Sequence, residues 1–149
     1  MKIRQAVLED VDVIAKTASK YSKELGWVRK TELQVAIGLK ELLFEEKSKS
    51  YCLYHKKRNG ITVIYSIAVP LEYNGKGIAK KFIQMLDQPI TLKCPVGNKS
   101  NEFYKHMGFT LLGVQKPKRP NGRDLNIWTL GYVAPTVRQL SFLEGENNE

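Results

Sequence analysis

Cysteine is scarce in this chain, with only Cys52 and Cys94 among 149 residues. Two distant thiols build neither a disulfide framework nor the paired ligands of a zinc site, so a reducing, cytoplasmic setting without a metal is expected. Histidine is as sparse: His55 and His106 stand at no metal-ligand spacing. Long apolar runs are missing too. No stretch of about eighteen apolar residues occurs, which excludes a helical membrane span. Met1-Lys2-Ile3-Arg4-Gln5-Ala6 leads into a charged segment rather than the apolar stretch of a secretory signal. Acidic residues are outnumbered, 15 Asp and Glu against 24 Lys and Arg, which leaves a formal net charge of +9. That surplus points to an anionic partner: a nucleic acid, an anionic surface or a phosphorylated small molecule. Composition does not choose among them.

What is present is a globular composition, 42% apolar and 26% charged, on a chain long enough for one domain with a real core. Lys2–Val7 alternates as a first strand. Asp10 is placed to cap a helix whose apolar residues Val11, Ile14, Ala15, Ala18, Tyr21 and Leu25 follow three-and-four spacing. That helix runs to about Glu24, with Gly26 after it. Thr31 with Gln34 reads as a capping box opening a second helix, which carries Val35, Leu39, Leu42 and Leu43. Ser50–Lys56 and Ile61–Val69 read as strands joined by Lys57-Arg58-Asn59-Gly60, a hairpin signal. The second of these is almost wholly apolar, as a strand buried on both faces is, and Pro70 ends it.

Further along, Gly75–Leu86 reads as a helix, Ile90–Cys94 as a strand and Asn98–Met107 as a short helix stopped by Gly108. Phe109–Val114 and Asn126–Leu130 are the last strands, separated by the polar loop Gln115–Asp124. The order β-α-α-β-β-α-β-α-β-β predicts a three-layer α/β/α fold with a mixed sheet. No internal repeat or second domain is visible. The domain is placed at residues 1–133, with residues 134–149 as a polar tail.

Chemistry concentrates between Ile67 and Phe82. An apolar strand feeds a loop with two glycines, Asn74-Gly75-Lys76-Gly77, which opens directly into a helix. Glycine lets backbone approach a ligand closely, and the first turn of a helix leaves N–H groups unpaired. With the helix dipole these form a phosphate cradle, and Lys76, Lys80 and Lys81 surround it. A plain helix start with solvated lysines carries the same glycine pair. The pattern is neither a Walker loop nor a dinucleotide fingerprint. A second element, Asn98 to Phe109, puts a short helix with Phe103-Tyr104 just before Gly108-Phe109. Alone it reads equally as a capped amphipathic helix.

Taken together, in this order and at this distance, the two elements resemble those of the Gcn5-related N-acetyltransferases. Asn74-Gly75-Lys76-Gly77-Ile78-Ala79 is similar to that family's acyl-coenzyme A loop, Arg/Gln-x-x-Gly-x-Gly/Ala. Phe103-Tyr104-Lys105-His106-Met107-Gly108-Phe109 is similar to its late Phe-Tyr-Glu-Lys-Leu-Gly-Phe signature. The resemblance covers roughly residues 1–131. It implies a fold of the acyl-CoA N-acyltransferase type and transfer of an acetyl or other acyl group from acetyl-CoA, as co-substrate, to an amine. Asn74, Gly75, Lys76, Gly77, Ile78 and Ala79 would hold the coenzyme pyrophosphate through backbone N–H groups. Ile67, Ala68 and Val69 would pair their backbone with the pantetheine arm and leave an N–H near the thioester carbonyl as an oxyanion donor. Asn101 would touch the pantetheine. Tyr104 would protonate the departing thiolate as general acid.

Two residues depart from the family pattern. Asn74 stands in place of Arg or Gln, which removes a side-chain contact but keeps the backbone cradle. Lys93 stands where several members carry a Glu, so no general base is carried over; Glu24, Glu32 and Glu72 are the conceivable replacements. Cys94 would fall near the coenzyme thiol but has no activating base beside it in the sequence, and reads as a small core residue. Cys52 and Trp128 read as core, His106 as surface, and Trp27 as a residue lining the acceptor side.

Lys116-Pro117-Lys118-Arg119-Pro120-Asn121-Gly122-Arg123 carries four cations and no acid. It reads either as a clamp for an acidic or nucleic-acid acceptor or as a solvated loop. His55-Lys56-Lys57-Arg58 is a similar cluster. Two functions are therefore carried forward for a monomer or homodimer: an N-acyltransferase, and a protein that binds or modifies nucleic acid. Against the second, the sequence has no helix-turn-helix, zinc ligands or aromatic RNA platform. A gel shift separates them. The transferase reading expects no retardation of DNA or RNA even at low salt, and salt-sensitive retardation would favour the alternative.

Overall fold

A computed structural model describes residues 1–22 and 26–131. Its strands are β1 (Ile3–Gln5), β2 (Leu42–Glu45), β3 (Ser50–Lys56), β4 (Thr62–Ala68), β5 (Ile90–Pro95), β6 (Thr110–Gln115) and β7 (Leu125–Leu130). The described α-helices are α1 (Val11–Lys20), α2 (Lys30–Leu39), α3 (Ile78–Gln84) and α4 (Ser100–His106). Side chains alternate across each strand, so the sheet buries two separate apolar faces. Tyr51 and Leu53 of β3 join Val11, Ile14 and Ala18 of α1 and Leu33 and Ala36 of α2 on one face. Cys52 of the same strand points the other way, into a cluster with Ile78 and Phe82 of α3 and Tyr104 of α4. The expected α/β/α layering follows from that alternation.

The sheet has seven strands in the order β1-β2-β3-β4-β5-β7-β6. Every pairing is antiparallel except β4 with β5. The hairpin between β3 and β4 forms as its Asn-Gly signal predicts. Gly60 takes φ +88°, and the Asn59 side chain accepts the Ile61 N–H at 3.0 Å.

One strand is missing from the sequence reading. Leu42 and Leu43 were expected on the second helix, but they lie on β2, all four of whose residues are buried. A continuous apolar run looks alike in a buried strand and a buried helix. The stop signal is also disguised: α2 ends at Lys40, a non-glycine residue at φ +58°, whose N–H reaches the Ile37 carbonyl at 3.1 Å. Gly38 sits inside the helix instead. The expected Thr31–Gln34 box does not form, since Arg29 occupies the cap position without a side-chain bond.

Asp10 stands at the cap position of α1 as expected but makes no side-chain cap bond there, and Leu8–Asp10 forms a 3-10 turn ahead of that helix. Its carboxylate accepts the Val7 N–H at 2.8 Å and the Arg4 guanidinium at 2.7 Å. The hydrogen bond from Arg4 holds the carboxyl below its usual range. Glu24 and Leu25, and the tail at 134–149, lie outside the described residues. No described helix is long and apolar enough to cross a membrane.

The parallel pair is short. Its register runs Thr62–Ile90, Val63–Thr91 and Ile64–Leu92, and then stops. The next residue, Tyr65, is a bulge: Leu53 pairs with Ser66 and Tyr54 with Ile64, which leaves Tyr65 as the extra residue on β4. A bulge adds local twist to its strand. β4 therefore stays with β3 as far as Ala68, β5 stays with β7 as far as Pro95, and a gap opens between them.

Lys40 supplies a test of the boundary between α2 and β2. A left-handed residue with a Cβ is strained, so Lys40→Gly is expected to stabilise the fold by about 1 kcal/mol in urea unfolding. Destabilisation would contradict the boundary.

Candidate functional site

The gap between β4 and β5 is where two cavities meet. Beyond Ile64 the edge of β4 that faces β5 has no strand partner. Backbone N–H and C=O groups on an open edge are available to a ligand in extended form. A cavity of about 460 Å³ lies toward α3 and α4, and one of about 510 Å³ extends under the β6–β7 loop. Both are lined by Ile67, Asn98, Ser100 and Tyr104, so the two spaces adjoin at the gap.

The first cavity collects most of the expected coenzyme residues. Ile67, Ala68 and Val69 from the end of β4 line it, together with Asn74, Gly75, Gly77, Ile78 and Ala79. Gly75 and Gly77 take φ +77° and +78°, and a Cβ at either would meet nothing within 4 Å. Their glycines are therefore needed for backbone conformation rather than for space. No side chain caps the start of α3. The unpaired N–H groups of its first turn thus open on the cavity rather than on a capping residue. Lys80 lines the same space, whereas Lys76 does not; its ammonium lies 5.6 Å from the centre of the Tyr73 ring. The Tyr21 hydroxyl accepts the Leu71 N–H at 3.1 Å and ties the end of α1 to this loop.

Tyr104 stands at the junction. It is buried and packed edge-on against Phe103 and Phe109, with ring centres 5.4 and 5.5 Å away. Burial, with Cys94 and Cys52 close by, pushes its hydroxyl well above the usual tyrosine range. It is therefore a neutral phenol, not a phenolate base, at neutral pH. Cys94 also borders the second cavity, but burial pushes its thiol up to about 11. Cys52 is wholly buried and raised further still. Neither is a thiolate nucleophile at neutral pH.

Asn101, expected to touch the pantetheine, does not line the first cavity. Its amide nitrogen donates to the carbonyls of Pro95 at 2.8 Å, Val96 at 3.2 Å and Asn98 at 2.7 Å. Its oxygen accepts the Asn126 amide at 3.0 Å and the Trp128 indole N–H at 2.8 Å. The side chain is fully used in joining α4, the end of β5 and β7, and so it fixes the gap from behind. Besides Tyr104, the residues of this segment that line both cavities are Asn98 and Ser100, which sequence reasoning missed. A signal was there: an Asn two residues before a Ser at a helix start, realised as Asn98 Oδ1 accepting the Ser100 N–H at 2.9 Å.

The second cavity is cationic. Lys93 lies on the face of β5 opposite the buried Ile90, Leu92 and Cys94, and it shares the cavity wall with Lys118, Arg119 and Arg123. Burial disfavours the Lys93 ammonium, and repulsion from Lys118 and Lys57 adds to this. Lys116 is set apart, paired with Asp124 at 3.1 Å, so one of the four loop cations meets an acid just beyond the run read from sequence. Among the described residues no carboxylate lines either cavity. Glu32 borders a different groove beside α2, Glu72 lies in the short turn before the glycine loop, and Glu24 is outside the described residues. Trp27 is 81% exposed and lines neither space, while Trp128 is buried as expected. Among the described residues no group of three His, Cys, Asp or Glu side chains could hold a metal.

Asn101→Ala would strip the indole of Trp128 and the amide of Asn126 of an acceptor and take one donor from the carbonyls of Pro95, Val96 and Asn98, of which Pro95 and Asn98 keep a backbone N–H partner. A loss of about 2–3 kcal/mol in urea unfolding is expected, and a loss below about 0.5 kcal/mol would remove its structural role.

No protein-family model matches the chain, and no curated protein matches it. Solved structures do. Ard1 from Thermoplasma volcanium superposes with a TM-score of 0.73 at 12% identity, over 87% of this chain and 95% of that one. A GNAT-family acetyltransferase from Bacillus cereus gives 0.72 at 15% identity, over 89% and 97%. A Mycobacterium tuberculosis protein crystallised with CoA gives 0.66 at 17% identity, over 87% and 99%. With its splayed β4–β5 pair and seven-stranded mixed sheet, the chain has the fold of the Gcn5-related N-acetyltransferases.

Proposed function

We propose that the protein is an N-acetyltransferase that moves an acetyl group from acetyl-CoA to an amine by direct attack. The observation that carries this reading is the meeting of two cavities across the β4–β5 gap at Tyr104. One space suits the coenzyme. Its backbone donors at Gly75 to Ala79 face a pyrophosphate, Lys80 adds a cation, and the open edge of β4 pairs with the extended pantetheine arm. The other space takes the acceptor.

In the reaction the acceptor nitrogen forms a bond to the thioester carbon, and an N–H at the end of β4 stabilises the oxygen as charge develops. The carbon–sulfur bond then breaks. The sulfur takes the Tyr104 proton, and the proton lost by the new amide nitrogen returns that phenol to its starting state. Among the described residues no carboxylate lines the second cavity to act as base, and a physical substitute is at hand. Four cations around the second cavity disfavour an ammonium there, so an incoming amine gives its proton to water more readily than in bulk solution. The two buried, unpaired cysteines support a reducing, cytoplasmic location.

Calorimetric titration with acetyl-CoA is expected to show binding in the micromolar range, and no binding at high micromolar ligand overturns the reading. Tyr104→Phe is expected to lower turnover by about 100-fold while coenzyme affinity stays within about twofold. Unchanged turnover removes the acid role from Tyr104.

A further inference from the structure

The acceptor cavity has a chemistry of its own. A transferase that accepts an ammonium-bearing substrate gains from carboxylates at the acceptor site, which attract the cation. This cavity has the opposite sign. Lys93 lies on β5 at one wall, and Lys118, Arg119 and Arg123 line the cavity from the β6–β7 loop, with no Asp or Glu among the described lining residues. The loop is exposed, but it is turned on itself and tied at its base to the end of β5. The Gly122 N–H donates to the Arg119 carbonyl at 3.0 Å, and the Val96 N–H donates to the Asp124 carbonyl at 3.1 Å. A Cβ at Gly122 would come 2.5 Å from the Pro117 side chain, so this turn closes only because the residue is glycine.

Lys93 is the part that a merely solvated basic loop does not explain. It belongs to a strand, it is half-buried, and it has no carboxylate partner among the described residues. Its charge is opposed by burial and by Lys118. A partly buried cation facing other cations lowers its free energy when an anion enters between them. The cavity, at about 510 Å³, has the size of a small-molecule site.

We infer that the acceptor is a small amine that carries a carboxylate or phosphate group, held by Lys93 from the strand and by Lys118, Arg119 and Arg123 from the loop. The inference rests on the acetyl-transfer reading and names its substrate class. The anionic group offsets the repulsion that the cleft exerts on the amine and aims the nitrogen at the gap beside Tyr104.

The test uses two matched pairs of amines, so that the phosphate and carboxylate arms are read separately. O-phosphoethanolamine is compared with ethanolamine, and β-alanine with 3-aminopropanamide. The protein is first saturated with CoA, which removes the coenzyme cavity as a competing anion site. Binding is measured by calorimetry in every protein, and where Lys93 is present also through its side-chain resonance in selectively labelled protein. At least one anionic member is expected to bind about fivefold or more tightly than its neutral partner and to shift that resonance. The preference is expected to shrink as salt rises and to fall by more than half in Lys118→Ala and in Lys93→Gln. Coenzyme affinity measured on the same variants reports that they are folded. Equal binding of the neutral members, binding of no anion, or a preference indifferent to both substitutions overturns the inference. Failure of the unaltered protein to bind CoA at all overturns instead the acetyl-transfer reading beneath it.

Discussion

The separation of β4 from β5 is the constraint on which the rest of the molecule turns. Three registered pairs hold the two strands together, and the Tyr65 bulge then adds twist to β4 at the residue where pairing ends. Each strand is held on its outer side: β4 by β3, β5 by β7. The Tyr51 hydroxyl bonds the buried Ser66 hydroxyl at 2.7 Å, which fixes β4 on the far side of the bulge. Asn101 does the corresponding work for β5, gathering its last carbonyls and the indole of Trp128 through one amide. The gap is thus a built feature, with polar anchors on both banks.

That geometry decides what the flanking elements can do. α3 starts beside the open edge, and its glycine loop presents backbone donors where the strand presents its own. Tyr104 reaches the junction from α4, locked between Phe103 and Phe109, in a setting that keeps its proton on. On the opposite face the exposed β6–β7 loop lines the same cavity as Lys93. The proposed transferase needs little else: a cradle for phosphates, a donor for the developing oxyanion, an acid for the sulfur, and a field that favours a neutral amine. The net charge of +9 then has a local meaning. Part of it lines the first cavity through Lys80, and part lines the second through Lys93 and the loop.

Much of this was legible in the residues, and the parts that were not have identifiable causes. The Asn59-Gly60 hairpin, the apolar β4 and the glycine loop carry local signals, and all lie where the sequence puts them. β2 was hidden because Leu42 and Leu43 continue the helical spacing of Leu39, and because the helix ends on a left-handed lysine rather than a glycine. Asn101 sits in the right segment for a coenzyme contact, yet its amide is satisfied by groups up to 27 residues away, and no local pattern reports that. The cationic acceptor cavity is a product of topology. It joins Lys93 to a loop more than twenty residues later, across a strand order that places β7 between β5 and β6. The loop's charge was visible in the sequence, but the wall it faces was not.

Amide hydrogen exchange with and without CoA reads the gap most directly. Added coenzyme should slow exchange at Ile67, Ala68 and Val69 and in the Gly75–Lys80 turn, and should leave β1 and β2 unchanged. Protection confined to other parts of the sheet, or absent from the end of β4 when CoA is bound, would contradict the assignment of the open β4 edge as the coenzyme's binding surface.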